Sequence, residues 1–200
     1  MHSTDFLRIK EKISALKRED HLIFPLFTDI HADGKEDGAL EKLNRAVKLI
    51  CDEIKPDMVI NLGDILSMLG RSEHISDRAL VKKLYEVCDS VKENVNCPLY
   101  IINGNHDGAG TDFFKPELWN ELDIDGYADG KLIREKGKSY FYLDAKETRF
   151  VFLSIPSDSD TDGQLPAPVW AFGKEQLEWL ENEALNTKKD VLLFSHVPFF

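Results

Sequence analysis

Apolar positions near the start of the chain return every three or four residues. Phe6, Ile9, Ile13 and Leu16 fall on one face, which predicts an amphipathic helix over residues 4–18. The next run has another rhythm. "LIFPLFTDIHA" (22–32) is apolar until it turns polar, the pattern of a buried strand. Helical spacing returns at Leu40, Leu43, Val47, Ile50 and Ile54, and Pro56 stops it. "DMVINLGDIL" (57–66) predicts a second strand, residues 76–93 a helix, and "PLYIING" (98–104) a third strand. Strands alternating with helices predict a parallel sheet with helices packed on it.

The second half reads differently. "SYFYLD" and "TRFVFLSIPS" flank "AKE", an antiparallel hairpin. Residues 173–185 predict a helix with Leu177, Leu180 and Ala184 inward, and "DVLLFSH" (190–196) a last buried strand. Two packed sheets with outer helices accommodate both halves. The expected class is therefore α/β, a four-layer α/β/β/α sandwich of two mixed sheets flanked by helices. Residues 1–20 are expected to form a helix that packs on one domain, 21–200.

Composition narrows the function classes. With 42% hydrophobic and 30% charged residues, a folded core is expected rather than disorder. The net charge of −11, with no Lys/Arg-rich run, repels phosphate backbones and disfavours long nucleic acid. A small phosphorylated substrate remains open if a metal helps. Cys51, Cys88 and Cys97 form no C-x-x-C pair, so neither a disulfide framework nor a zinc knuckle is suggested, and a reducing compartment fits. The first apolar run, "LIFPLF", is too short for a signal segment or a membrane span. These readings together predict a cytoplasmic protein without membrane association. The oligomeric state leaves no mark in the sequence.

Four predicted strands end in potential metal ligands: Asp29 and His31 after the first, Asp64 after the second, Asn105, His106 and Asp107 after the third, and His196 after the last. In open α/β sheets ligands bind beyond the carboxyl ends of strands, so parallel neighbours bring these groups into one crevice. Carboxylate, imidazole and amide oxygen suit Mn, Fe(II), Zn or Ni better than a thiolate-seeking ion. The glycines before Asp64 and Asn105 permit tight turns that aim the next side chain into the crevice. Taken singly, Asp-x-His, Gly-Asp or one histidine at a strand end commonly has a structural explanation. Gly-Asn-His-Asp is rarer, with a chance match in this length on the order of one in a thousand.

The ordered series Asp29-x-His31, Gly63-Asp64, Gly104-Asn105-His106-Asp107 and His196 resembles the calcineurin-like metallophosphoesterase family. The likeness runs from about residue 22 to the end, and "EQLEWLENEA" before "VLLFSHVPFF" is similar to the segment carrying that family's fourth motif. The resemblance implies a hydrolase of phosphomonoesters or phosphodiesters that uses two divalent ions, manganese foremost, with Fe(II), Zn or Ni as alternatives. Asp29 and His31 would hold one ion, Asn105 and His196 the other, and Asp64 would bridge them. The ions would activate a bridging water. His106 would contact the phosphate and protonate the leaving oxygen, with Asp107 orienting it and holding its proton. A non-catalytic scaffold on the same fold and a nuclease of the same family are the competing readings.

Two departures qualify the resemblance. The family's later Gly-His-x-His motif has no counterpart before Phe200, so each ion would lack one family ligand, and the chain reads as a C-terminally incomplete copy missing its last strands. Ser67 stands where the purple acid phosphatase branch carries an iron-binding tyrosine, so that branch is disfavoured. His2, His21 and His74 are isolated. The run "DSDTDGQLPAPV" (158–169) imitates a calcium loop but has Val169 at its twelfth position, and it reads as a polar loop. It, the "GAGTDFF" segment and residues 65–77 are expected to border the crevice and set substrate choice, while Phe113 and Phe114 are equally open to a place in the core or a role as substrate platform.

Overall fold

The computed structural model describes residues 3–32, 38–66, 77–107, 122–135, 138–155 and 172–198. Helix α1 (Ser3–Leu16) leads into β1 (Leu26–Phe27), α2 (Ala39–Ile54), β2 (Val59–Asn61), α3 (Asp77–Lys92) and β3 (Leu99–Ile101). The three strands pair in parallel in the order β1–β2–β3, with Ile60 opposite Leu26 on one side and Tyr100 on the other. Parallel neighbours need long crossovers, which α2 and α3 supply. Every residue of β2 and β3 is buried, as expected of parallel strands covered on both faces.

A short helix, α4 (Ile124–Tyr127), precedes the second sheet. There β4 (Phe141–Ala145) and β5 (Thr148–Phe152) form the expected hairpin, with Leu143 opposite Phe150. Helix α5 (Lys174–Trp179) widens into a π-helical turn, Leu180–Ala184, and leads to β6 (Asp190–Phe194), which pairs in parallel with β5. Among the described residues, then, the first sheet is parallel and only the second is mixed.

Aromatic rings join the two sheets. Tyr100 of β3 stacks on Phe152 of β5 with ring centroids 5.7 Å apart, and Phe24 meets Phe150 edge-on at 5.3 Å. Phe152 in turn stacks on Phe194 at 5.0 Å. Val47 and Cys51 of α2, with Leu84, Val87, Cys88 and Val91 of α3, belong to the same core. On the far side of the second sheet, Trp179, Leu180 and Ala184 pack on Tyr140, Tyr142, Val151 and Leu153. Helices thus flank two packed sheets, the expected layered arrangement.

Several local expectations need correction. Regular pairing in "LIFPLFTDIHA" is confined to Leu26–Phe27, and Leu26 is 46% exposed. Among the described residues it lies on a sheet edge, next to a proline with no N–H to donate. The last strand is not buried among the described residues: Val191, Leu192 and Leu193 are 36%, 42% and 41% exposed, because the described residues pair β6 on one side only. Leu177 faces solvent, while Gln176 and Trp179 turn inward with Leu180 and Ala184. The buried stripe of α5 is anchored by Gln176, whose amide bridges the backbone N–H and carbonyl of Ser154 at 2.8 Å each. Helix α1 buries Phe6 but exposes Ile9 and Leu16, and Lys10 pairs with Glu53 to hold it against α2. Ser67, His2, His74, Phe113, Phe114 and the acidic run 158–163 lie outside the described residues, as do the loop residues 67–76, 108–120 and 156–170. Among the described residues no helix is long and apolar enough to cross a membrane.

Candidate metal centre

The carboxyl ends of β1 and β2 stay in register beyond the sheet. Asp29 N–H donates to Gly63 O at 3.0 Å, His31 N–H to Asp64 O at 3.1 Å, and Ala32 N–H to Ile65 O at 2.8 Å. The cluster's backbone is unusual. Asp29, His31 and Asp64 have φ of 56°, 46° and 52°, the left-handed region that non-glycine residues rarely enter. Gly63 is left-handed too, at 94°. Gly104 is required for another reason. A Cβ there would lie 2.1 Å from Asp64 Oδ1 and 2.3 Å from Asp64 N, so the third strand end presses directly on the second.

Asp64 sits at the centre and is buried. Its Oδ1 accepts the His106 N–H at 2.7 Å. Its Oδ2 faces three imidazoles, 3.4 Å from His196 Nε2, 3.9 Å from His106 Nε2 and 4.0 Å from His31 Nε2. Asn105 Oδ1 lies 2.9 Å from His196 Nε2, and Asp29 Oδ1 3.8 Å from His31 Nε2. Two triads result, His31–Asp64–His106 and Asp29–Asp64–His196, each with ligand atoms within 4.8 Å of one another. Asp64 is the member they share.

Two of the rings have their tautomer set by a main-chain acceptor. His31 Nδ1 is 3.1 Å from Leu66 O, and His196 Nδ1 is 2.9 Å from Leu62 O. A carbonyl only accepts, so each Nδ1 carries a proton, and Nε2 is the nitrogen aimed at the cluster, able to donate to Asp64 when protonated and to bind a metal when not. His106 differs, because its buried Nδ1 has no partner among the described residues.

Sequence comparison now decides the family: the calcineurin-like phosphoesterase model matches residues 25–200. The chain belongs to the calcineurin-like phosphoesterase family. It is thereby a metallophosphoesterase, a hydrolase of phosphoric esters. No curated protein matches it in sequence. Among solved structures, it resembles a dimetal phosphatase from Danio rerio with a TM-score of 0.64 at 20% identity, over 88% of this chain and 70% of that one. At that identity the likeness speaks for the fold.

The donor set of this phosphoesterase fits divalent ions. Two carboxylates, three imidazoles and one amide oxygen converge without a thiolate, a set suited to Mn, Fe(II), Zn or Ni. Burial works to raise the Asp64 pKa. Hydrogen bonds from His196 and the His106 N–H, with the charges of both imidazoles, outweigh it and hold Asp64 below its ordinary value. Burial works to lower His196, but its hydrogen bond to Asp64 and that carboxylate's charge raise it.

Asp107 departs from expectation. Its carboxylate does not reach the His106 ring. Oδ1 accepts the Leu66 N–H at 2.9 Å and Oδ2 the Gly104 N–H at 2.8 Å. Both oxygens therefore tie the turns after β2 and β3 together, and His106 Nδ1 is left without a partner among the described residues. Complete burial pushes Asp107 up to about 7 against those two N–H groups. Sequence reasoning also missed Thr28, whose hydroxyl lies 2.8 Å from Asp29 Oδ2 and was signalled only by standing next to Asp29. It missed the buried bridge from Asn103 through Ser154 to Gln176, which links the third strand end to the second sheet. Three ordinary polar residues scattered along the chain gave no sign of it.

Proposed function

We propose that the chain hydrolyses a small phosphomonoester or phosphodiester at a dinuclear metal centre held by Asp29, His31, Asp64, Asn105 and His196. The observation that carries this is Asp64 Oδ2, buried and facing three imidazole nitrogens at 3.4–4.0 Å. A buried carboxylate at the focus of several neutral donors suits a bridging position between ions. Two bound divalent ions, manganese first, would supply a nucleophilic water at neutral pH and Lewis-acid stabilisation of the phosphoryl oxygens.

The chain's own residues supply the rest. Leu62 O and Leu66 O hold the His196 and His31 rings so that Nε2 faces the site. The His106 N–H fixes Asp64 Oδ1 and leaves Oδ2 free to face the cluster. His106 Nε2 lies at the site, and the His106 side chain is about a third exposed, so a substrate can reach it. It donates a proton to the leaving alkoxide as the P–O bond breaks, and water supplies the new P–O bond. The acidic chain favours small substrates over long nucleic acid, and we place its work in the cytoplasm.

The test is hydrolysis of p-nitrophenyl phosphate and bis-p-nitrophenyl phosphate with Mn²⁺ or with EDTA. Activity is expected only with metal, and Asp64→Asn is expected to lower it by ~10²–10³-fold, the loss typical of one preorganised electrostatic contact. Unchanged turnover in Asp64→Asn would sink the reading.

A further inference from the structure

Thr28 directly follows β1, and its hydroxyl lies among the ligands. Oγ1 is 2.8 Å from Asp29 Oδ2, 3.3 Å from Gly63 O and 3.4 Å from His196 Nδ1. A hydroxyl has one proton to give and two lone pairs to receive. The charged and nearest acceptor, Asp29 Oδ2, takes that proton. His196 Nδ1–H points to Leu62 O at 2.9 Å, with Thr28 Oγ1 as a longer second acceptor. The consequence for Asp29 is directional. With Oδ2 committed to Thr28, Oδ1 is the oxygen left to face His31 Nε2, 3.8 Å away. The Asp29 side chain is 55% exposed, so little packing restrains its rotation. His196, by contrast, arrives from the second sheet.

We propose that Thr28 is a positioning residue for metal binding: its hydroxyl orients Asp29, from the first sheet, and braces His196, from the second, so that Oδ1 and Nε2 are presented together. This rests on reading the cluster as a metal centre. Thr28 itself would touch neither ion nor substrate. Partners of this kind typically change metal affinity by about 10–100-fold.

Calorimetric titration of the full chain with Mn²⁺ tests it, using Thr28→Val, which keeps the shape, and Thr28→Ser, which keeps the hydroxyl. Thr28→Val is expected to bind Mn²⁺ at least ~10-fold more weakly, and Thr28→Ser close to wild type. Melting in EDTA is expected to be the same for all three, because the hydroxyl holds ligands rather than the fold. At saturating Mn²⁺ the kcat of Thr28→Val should recover while the Mn²⁺ concentration for half activity rises. Equal Mn²⁺ affinity in wild type and Thr28→Val overturns the proposal and leaves the metal centre standing. So does weakening in both variants, or weakening that only follows a lower melting temperature in EDTA. If the wild type takes up no Mn²⁺, the metal centre falls and the Thr28 proposal with it.

Discussion

Gly104→Ala is a one-carbon change that probes how tightly the second and third strand ends are pressed together. The added Cβ would lie 2.1 Å from Asp64 Oδ1, 2.3 Å from Asp64 N and 2.8 Å from Asp64 Cγ, whereas such contacts are essentially never shorter than 3.0 Å. The shortfall is about 1 Å, and rotating the carboxylate removes only part of it, because the backbone nitrogen is also in the way. Neither side yields easily. Asp64 N belongs to the turn held by the His31 N–H at 3.1 Å and by Asp107 through Leu66, and Gly104 N–H is itself bound to Asp107 at 2.8 Å. Overpacking of this kind costs about 1–3 kcal/mol. For a domain of this size that corresponds to a melting temperature lower by roughly 2–12 °C. The same displacement falls on Asp64 and on the turn carrying Asn105 and His106. A misplacement of about 1 Å at a reacting centre is worth ~100-fold in rate. The assays are thermal melting and Mn²⁺-dependent hydrolysis of bis-p-nitrophenyl phosphate. Wild-type melting together with wild-type turnover in Gly104→Ala would show that the two turns are free to separate, and the geometric reasoning would be wrong.

Two further perturbations follow from the described contacts. Asp107→Asn places an amide NH₂ against one of the two N–H groups its oxygens now accept, and the unpaired donor should lower stability by about 1–3 kcal/mol. Burial raises Asp107 from 3.8 to about 7, so wild-type stability itself falls as pH rises across that range, a slope Asp107→Asn cannot show. The deficit of the variant should be largest at about pH 4 and shrink towards about pH 8, and melting at or above wild type at about pH 4 would refute the role of Asp107 as a tie between turns. Asp144 binds the Arg149 guanidinium through both oxygens, at 2.7 and 3.0 Å, and that bond holds its carboxyl below the ordinary 3.8. A depressed folded value means stabilisation that is present above 3.8 and is lost as pH falls through the lowered value. Asp144→Asn should therefore melt below wild type at neutral pH, by about 1–3 kcal/mol, and converge with it in strong acid; a pH-independent difference would contradict the assignment.

The parts of the fold legible in the sequence were those set by the chain's own pattern. β2 and β3 are fully buried runs, and α2 follows its stripe from Leu40 to Ile54. What a strand borders was not legible. "LIFPLF" and "VLLF" read as interior by composition, yet Leu26 and the Val191–Leu193 run lie on edges, because burial depends on a neighbouring strand that the segment does not encode. The phase of α5 was misread by a residue, since a buried glutamine is invisible to hydrophobic periodicity until its partner Ser154 is placed. At the site, the residue types and their place at strand ends pointed to the cluster that the structure assembles. The partner of Asp107 did not show, because main-chain N–H groups are present at every position and only the folded turn selects which two it meets.

The left-handed backbone at Asp29, His31 and Asp64 sets stability against retention of the site. Each such residue strains the chain by on the order of 1–3 kcal/mol, and glycine would relieve it at any of the three. Substitutions there that make the protein sturdier therefore strip away the groups that converge on Asp64 Oδ2. Drift under selection for folding alone would erode these positions first, and a thermostable descendant that kept them would have to draw its added stability from the aromatic seam between the sheets or from the helices, away from the strand ends.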